Sequence, residues 1–220
     1  MNTRSMTNTE NIFLNTANQQ YTVRLDEGSF VKDICIQESG QYFCCIVVYD
    51  AQCDIVVHSD AVDVNVHIVV VSYAAQQKNV RLSLDAHTDR NGVSVDMTLL
   101  SLIGENGFID IQWGIHMPVG VEKTQGRLLE DNIIFHPSAR IKALPKLDIR
   151  SNDVQASHGA KIRTIDDKEL FYMQAKWLSL AASKKLYIQW YMQSLFATIP
   201  SIDPVFAQEQ EDKIIHTLAL

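Results

Sequence analysis

What this chain of 220 residues lacks narrows its identity first. It has no run of about 18 uncharged apolar residues, so the pattern of a membrane-spanning helix is absent. It has no dense cluster of Lys and Arg; 19 basic residues stand against 26 acidic ones, and the formal net charge is −7. Nucleic-acid binders carry a basic face, so this surface is better suited to protein partners, basic ones included. There is no Gly-rich loop ending in Lys to cradle phosphates and no Gly-x-Ser-x-Gly. Nucleotide chemistry would therefore have to come from a partner.

Cysteine is scarce and one-sided. Cys35, Cys44, Cys45 and Cys53 all lie in the first quarter, and none follows. They form no Cys-x-x-Cys. On a strand Cys44 and Cys45 point to opposite faces and cannot bind one metal together. They read as reduced, buried thiols of a reducing, cytoplasmic compartment. The first 20 residues contain no continuous apolar segment like that of a signal peptide. Rich in Asn and Thr, residues 1–19 read as a flexible N-terminus.

What is present falls into two rhythms. From residue 20 to about 165 the pattern is short strands. Val62, Val64, Val66 and Ile68 alternate with Asp63, Asn65 and His67, and Val93, Val95 and Met97 alternate with Ser94, Asp96 and Thr98. Turn signals recur at Glu27-Gly28, Ser39-Gly40, Asn91-Gly92 and Glu105-Asn106-Gly107. Asn91-Gly92 suits a tight hairpin. The pattern permits a sandwich, a barrel or a β-solenoid, and no strict repeat decides among them.

After Ile165 the period becomes helical. Asp166, with Glu169 three residues on, is a variant capping box. Leu170, Phe171, Met173 and Trp177 follow on one side of a first helix. Ser179 or Ser183 is placed to cap a second helix, Pro200 and Pro204 interrupt the chain, and residues 204–218 form a third. The aromatic content of this tail exceeds what a few short helices can bury among themselves, which favours an interface.

Four ordered pieces carry a resemblance to a known family: Asp131 to Ala139, Pro145-Lys146-Leu147-Asp148-Ile149, Asn152 to Ala160 with Ser157-His158-Gly159-Ala160 at its end, and Ile165 to Tyr172. This stretch resembles the SufB/SufD family of iron–sulfur cluster assembly proteins. Ala156 and Gly159 make it SufD-like, because SufB-like chains have a Cys-Glu-His-Glu type sequence there. Gln174-Ala175-Lys176-Trp177 stand where the family has Arg-Ser-Arg-Gly, and the chain is shorter than ordinary members.

The resemblance implies a right-handed parallel β-helix (β-solenoid) over 20–165 and a small C-terminal α-helical domain over 166–220. It also implies pairing with a SufB-like chain, or a homodimer, through the β-helices. A SufC-like ATPase would dock on the helices, with Phe171, Tyr172, Trp177, Tyr187, Trp190 and Tyr191 as candidates. His158 is the implied interface residue and candidate iron ligand for a transient iron–sulfur cluster. No tightly bound cofactor and no enzymatic activity of its own are expected.

Other readings stay open. His158 also reads as a histidine hydrogen-bonded in a turn between strand and helix. A diverged β-helix paralogue with only an interaction role is one alternative. A β-helix enzyme acting on carbohydrate through Asp148, Asp166 or Asp167 is another. The remaining histidines, His58, His67, His87, His116, His136 and His216, form no zinc pair. His87 with Asp85 and Asp89 has the donors for a metal, but a solvated face explains them more simply.

Overall fold

The computed structural model describes residues 7–165, 167–199 and 202–218. Among these residues ten strands precede three helices: β1 (Thr7–Leu14), β2 (Gln20–Ile36), β3 (Gly40–Ser59), β4 (Val64–Ala74), β5 (Asn79–His87), β6 (Ser94–Ile103), β7 (Phe108–Met117), β8 (Glu122–Ile134), β9 (Arg140–Ile149), β10 (Asp153–Thr164), α1 (Asp167–Gln174), α2 (Leu180–Phe196) and α3 (Pro204–Leu218). Every strand pairing is parallel. The chain is a parallel β-solenoid with a helical tail.

Strand order explains how one sheet makes a solenoid. The path runs β10-β8-β6-β4-β3-β5-β7-β9, with β2 and then β1 attached beyond β3. The first half of β3 pairs with β4 and its second half with β5. Even-numbered strands from β4 to β10 therefore build one face, and β5, β7 and β9 build the other. Between the two faces lies a core of inward side chains such as Ile46, Ile68, Met97, Ile111 and Leu128.

Both corners of the coil use left-handed backbone. Glu27, Asp50, Gln76, Gln77 and Asn106 have positive φ at one corner; Asp63 and Gly92 have it at the other. The turn signals are corners, not hairpins. At Asn91-Gly92 the flanking strands β5 and β6 do not pair. Instead the Asp63 amide donates to the Asn91 carbonyl at 3.1 Å, and the Gly92 amide donates to the Glu122 carbonyl at 3.0 Å. The dipeptide thus ties three successive coils together.

The offset between stacked residues grows along the chain, from 22 for Thr7 and Ser29 and 23 for Cys35 and His58 to 29 for Ser72 and Ser101, 31 for Asp96 and Arg127 and 32 for Asp131 and Arg163. This drift is why no strict repeat is visible. Val62 lies before β4 and is exposed, whereas Val64, Val66 and Ile68 are buried. The Asn- and Thr-rich N-terminus also differs from expectation: Thr7–Leu14 is a strand in register with Ser29–Ile36. Ile12 and Leu14 reach the core, and this burial orders the segment. Residues 1–6 of that stretch lie outside the described residues.

Continuous apolar runs mark the face that carries the tail. In Ile68-Val69-Val70-Val71, Ile68 and Val70 point inward, while Val69 and Val71 join a second core with Ile188, Met192 and Ile214 of α2 and α3. Ser179 caps α2, accepting from the Ala182 amide at 3.1 Å, and Ser183 instead is buried, donating to the Ser179 carbonyl. The expected Asp166 cap and Pro200 break lie outside the described residues. No helix among the described residues is long and apolar enough to cross a membrane.

Candidate functional site at the open end of the solenoid

Strand β10 closes the first face and leaves it open. Among the described residues it pairs with β8 alone, so the other backbone edge of its 12 residues is unpaired. Register sets His158 opposite Leu128, Ala156 opposite Gly126 and Ala160 opposite Glu130. Leu128 belongs to the inner core. His158 therefore occupies an inward row of the last coil, where no further coil among the described residues covers it, and its side chain is exposed. It lies mid-strand, not in a turn, and makes no hydrogen bond among the described residues. An imidazole so placed is free to accept a metal ion.

A paired arginine joins this edge to the helices. The Arg163 guanidinium grips the Asp131 carboxylate in two-pronged fashion, with Nε donating at 3.1 Å, and lies 4.6 Å over the Tyr191 ring. An outward residue of β10 thus contacts α2.

The structure divides the six candidate docking aromatics. Trp177 is 99% exposed, Phe171 72%, Tyr172 67% and Trp190 61%. Tyr191 is half-buried. Tyr187 is buried in the second core, because its position on α2 faces the sheet. Tyr172, Met173, Leu186, Tyr187 and Trp190, with Lys168 at the rim, line an open and largely apolar groove of about 430 Å³ between α1 and α2.

Of the carbohydrate-enzyme residues, only Asp148 has its side chain among those described. Asp148 is on β9, the opposite face from the tail, and accepts from Arg150 Nε at 3.0 Å and Nη2 at 2.9 Å. These bonds, with a lesser contribution from His116, hold its carboxyl below the ordinary range, the wrong direction for a general acid. Asp166 lies outside the described residues.

Burial pushes the thiols of Cys44, Cys45 and Cys53 up to about 12. For Cys35, burial and then Asp60 push it to about 11. None is a ready thiolate at neutral pH.

Register also reveals what the sequence order hid. Cys35, His58, His87, His116 and Asp148 fall in one row across five strands. His87 and His116 stack with centroids 4.7 Å apart and an interplanar angle of 12°. Asp85 contacts His116 at 3.5 Å, so the trio His87, Asp85 and Asp89 does not gather around one point. The signal for this row is coil spacing, which becomes readable only once the register is known.

Comparison with known proteins bears on this end of the chain. Residues 114–189 match the family described as SUF system FeS cluster assembly, SufBD core domain. The iron–sulfur cluster assembly protein SufD of Escherichia coli is 30% identical over 66 residues, 30% of this chain and 16% of that protein. An iron–sulfur cluster assembly SufBD family protein of Synechocystis is 29% identical over 84 residues, 38% of this chain and 18% of its own. Protein ABCI7, chloroplastic, of Arabidopsis thaliana is 28% identical over 80 residues, 36% of this chain and 17% of its own. The matched stretch is thus under a fifth of the length of each of these relatives. It contains β8, β9, β10, α1 and half of α2, which together hold the open edge and all of the groove lining but Trp190.

Proposed function

We propose that this chain, which belongs to the SufB/SufD family by its residues 114–189, is a SufD-like scaffold component of iron–sulfur cluster assembly in the cytoplasm. It pairs with a SufB-like chain, or with a second copy, through the open edge of β10. It presents the α1–α2 groove to a SufC-like ATPase. The observation that carries the reading is His158, exposed in the inner row of an unpaired 12-residue edge.

Each part follows from ordinary chemistry. An unpaired parallel edge is a template for strand addition by a partner. Pairing there would bring the partner's residues to His158, whose imidazole suits iron. The nascent cluster is cargo. Thiolate ligands come from the partner, since this chain's four cysteines lie in the early coils and are buried. Exposed Phe171, Tyr172, Trp177 and Trp190 supply apolar anchors of the kind found at binding hot spots. No catalytic step is assigned to the chain itself.

Co-expression followed by affinity capture tests this. SufB-like and SufC-like partners from the same source are expected to co-purify, with His158→Ala sparing capture but lowering cluster content. A folded chain that captures neither sinks the assignment. The absence of cysteine after Cys53 favours a second reading, an interaction role only. On that reading His158→Ala leaves cluster content in cells unchanged.

A further inference from the structure

A second group of metal-type donors lies in the early coils, far along the solenoid from His158. Register sets Cys35 of β2 opposite His58 of β3. Asp60 follows the end of β3, where its amide donates to the Ile36 carbonyl at 2.9 Å. That bond ties its carboxylate to the same corner. Ligating atoms of Cys35, His58 and Asp60 all lie within 4.8 Å of one another. Cys35 Sγ stands 3.3 Å from Asp60 Oδ2. A tetrahedral ion with bonds of about 2.0 to 2.3 Å holds its donor atoms roughly 3.5 Å apart. The three side chains therefore need only a small closure around an ion.

Two further observations concern the carboxylates beside this group. Asp33, two residues before Cys35 on the same outer face, has an Oδ1 shut off from solvent with no hydrogen-bond donor. His58 Nδ1 lies 3.1 Å from that oxygen. Buried carboxylate oxygens normally find a donor or a cation. The neighbouring cation is Arg90, which approaches the outer carboxylate oxygen of Asp60, while Oδ2 accepts from the Cys35 thiol. Its Nη2 is 4.0 Å from Oδ1, and its Nε donates to the Asp60 carbonyl at 3.2 Å.

We propose that Cys35, His58 and Asp60 bind one borderline divalent transition-metal ion of the zinc class, with Asp33 orienting His58. A thiol, an imidazole and a carboxylate together suit such an ion and not calcium or magnesium. On binding, the Cys35 thiol gives its proton to solvent and its sulfur lone pair forms the metal bond; no electron is transferred. A carboxylate behind a ligating histidine is the usual device for fixing its ring. The ion would staple β2 to β3. The site shares no residue with the open edge or the groove, so it stands or falls apart from the assembly role.

The test is a metal titration of the whole chain after chelator treatment. With Co²⁺ as probe, the expected result is a single ion per chain and a thiolate-to-cobalt charge-transfer band that Zn²⁺ bleaches. Cys35→Ser is expected to abolish the band. Asp33→Asn is expected to weaken binding about 10- to 100-fold. His216→Ala, on exposed α3 surface, is expected to change neither. A measurement on the unaltered protein guards against a variant that fails to fold: Zn²⁺ is expected to protect Cys35 from alkylation, read by peptide mass. The inference is overturned by the absence of a charge-transfer band, by a band that survives Cys35→Ser, or by Cys35 alkylation that Zn²⁺ does not slow.

Discussion

Inside the last coils, Trp113 Nε1 donates a 2.9 Å hydrogen bond to Glu130 Oε2, and both side chains are buried. Asn132 completes the group, donating to Glu130 Oε1 and to the Lys161 carbonyl. Glu130 sits in the same inward row as Leu128, one strand from the open edge. Glu130→Ala would leave the indole N–H and one N–H of the Asn132 amide without an acceptor, a loss of about 1–3 kcal/mol per buried group. Trp113→Phe removes one donor and is expected to cost a similar amount. Because the two act on one bond, urea unfolding of the single and double variants should show non-additivity of about 0.5–3 kcal/mol. Additive losses would mean that the bond contributes nothing of its own.

Gly107 tests the corner geometry. A Cβ there would stand 2.3 Å from the Ala74 carbonyl oxygen and 2.6 Å from its carbon, both backbone atoms that cannot swing aside. Gly107→Ala is expected to destabilise by about 1–3 kcal/mol, as overpacking does. Gly159→Ala, on the exposed β10, meets only a Leu129 methyl at 3.4 Å and should stay within about 0.5 kcal/mol. Thermal unfolding of the two variants side by side checks the contrast.

These two cases show which parts of the fold are legible in sequence. Alternation marks Val64, Val66 and Ile68 as inward, and the shift of period at Ile165 marks the tail. The boundaries of α3 follow from Pro204 and its apolar positions. The solenoid itself is hidden because Asn-Gly and Glu-Gly corners have the chemistry of hairpins. What separates the two is the partner of each strand, a relation across 22 or more residues that local pattern does not carry. The candidate site divides in the same way. His158 stands out through the motif around it, but its exposure depends on β10 being an edge. Tyr187 and Trp190 are alike in sequence, and only the docking of α2 on Val69 and Val71 buries one and exposes the other.

His67 makes acid stability measurable. It is half-buried on β4, opposite Asp96, with Nε2 shut off from solvent and without a hydrogen-bond partner. Burial lowers its pKa below the ordinary histidine value, outweighing the opposing pull of Asp96. The folded state then holds fewer protons than the unfolded state between the two pKa values, so stability rises with pH across that window. The contribution is fully present above the unfolded value near 6.5 and falls away as pH drops below it. Urea midpoints between pH 8 and 5 should decline, and His67→Phe should flatten the part of that decline centred below 6.5. An unchanged slope would show that other groups carry it.

Trp190 separates docking from folding. It is 61% exposed on α2 and meets Tyr191 edge-on with centroids 4.6 Å apart. Its loss costs little core, so Trp190→Ala should shift stability by no more than about 0.5 kcal/mol. If the groove beside it holds an ATPase partner, the same change should weaken that complex by about 2 kcal/mol or more, the scale of an aromatic hot spot. Tyr187→Ala works in the opposite sense. Its ring is buried against the second core, and truncation should cost about 3–5 kcal/mol of folding stability. Measuring partner binding by calorimetry and stability by urea unfolding for both variants distinguishes the roles. A Trp190 variant that binds the partner as tightly as the parent chain would remove the groove from the interface and leave its exposed aromatics unexplained.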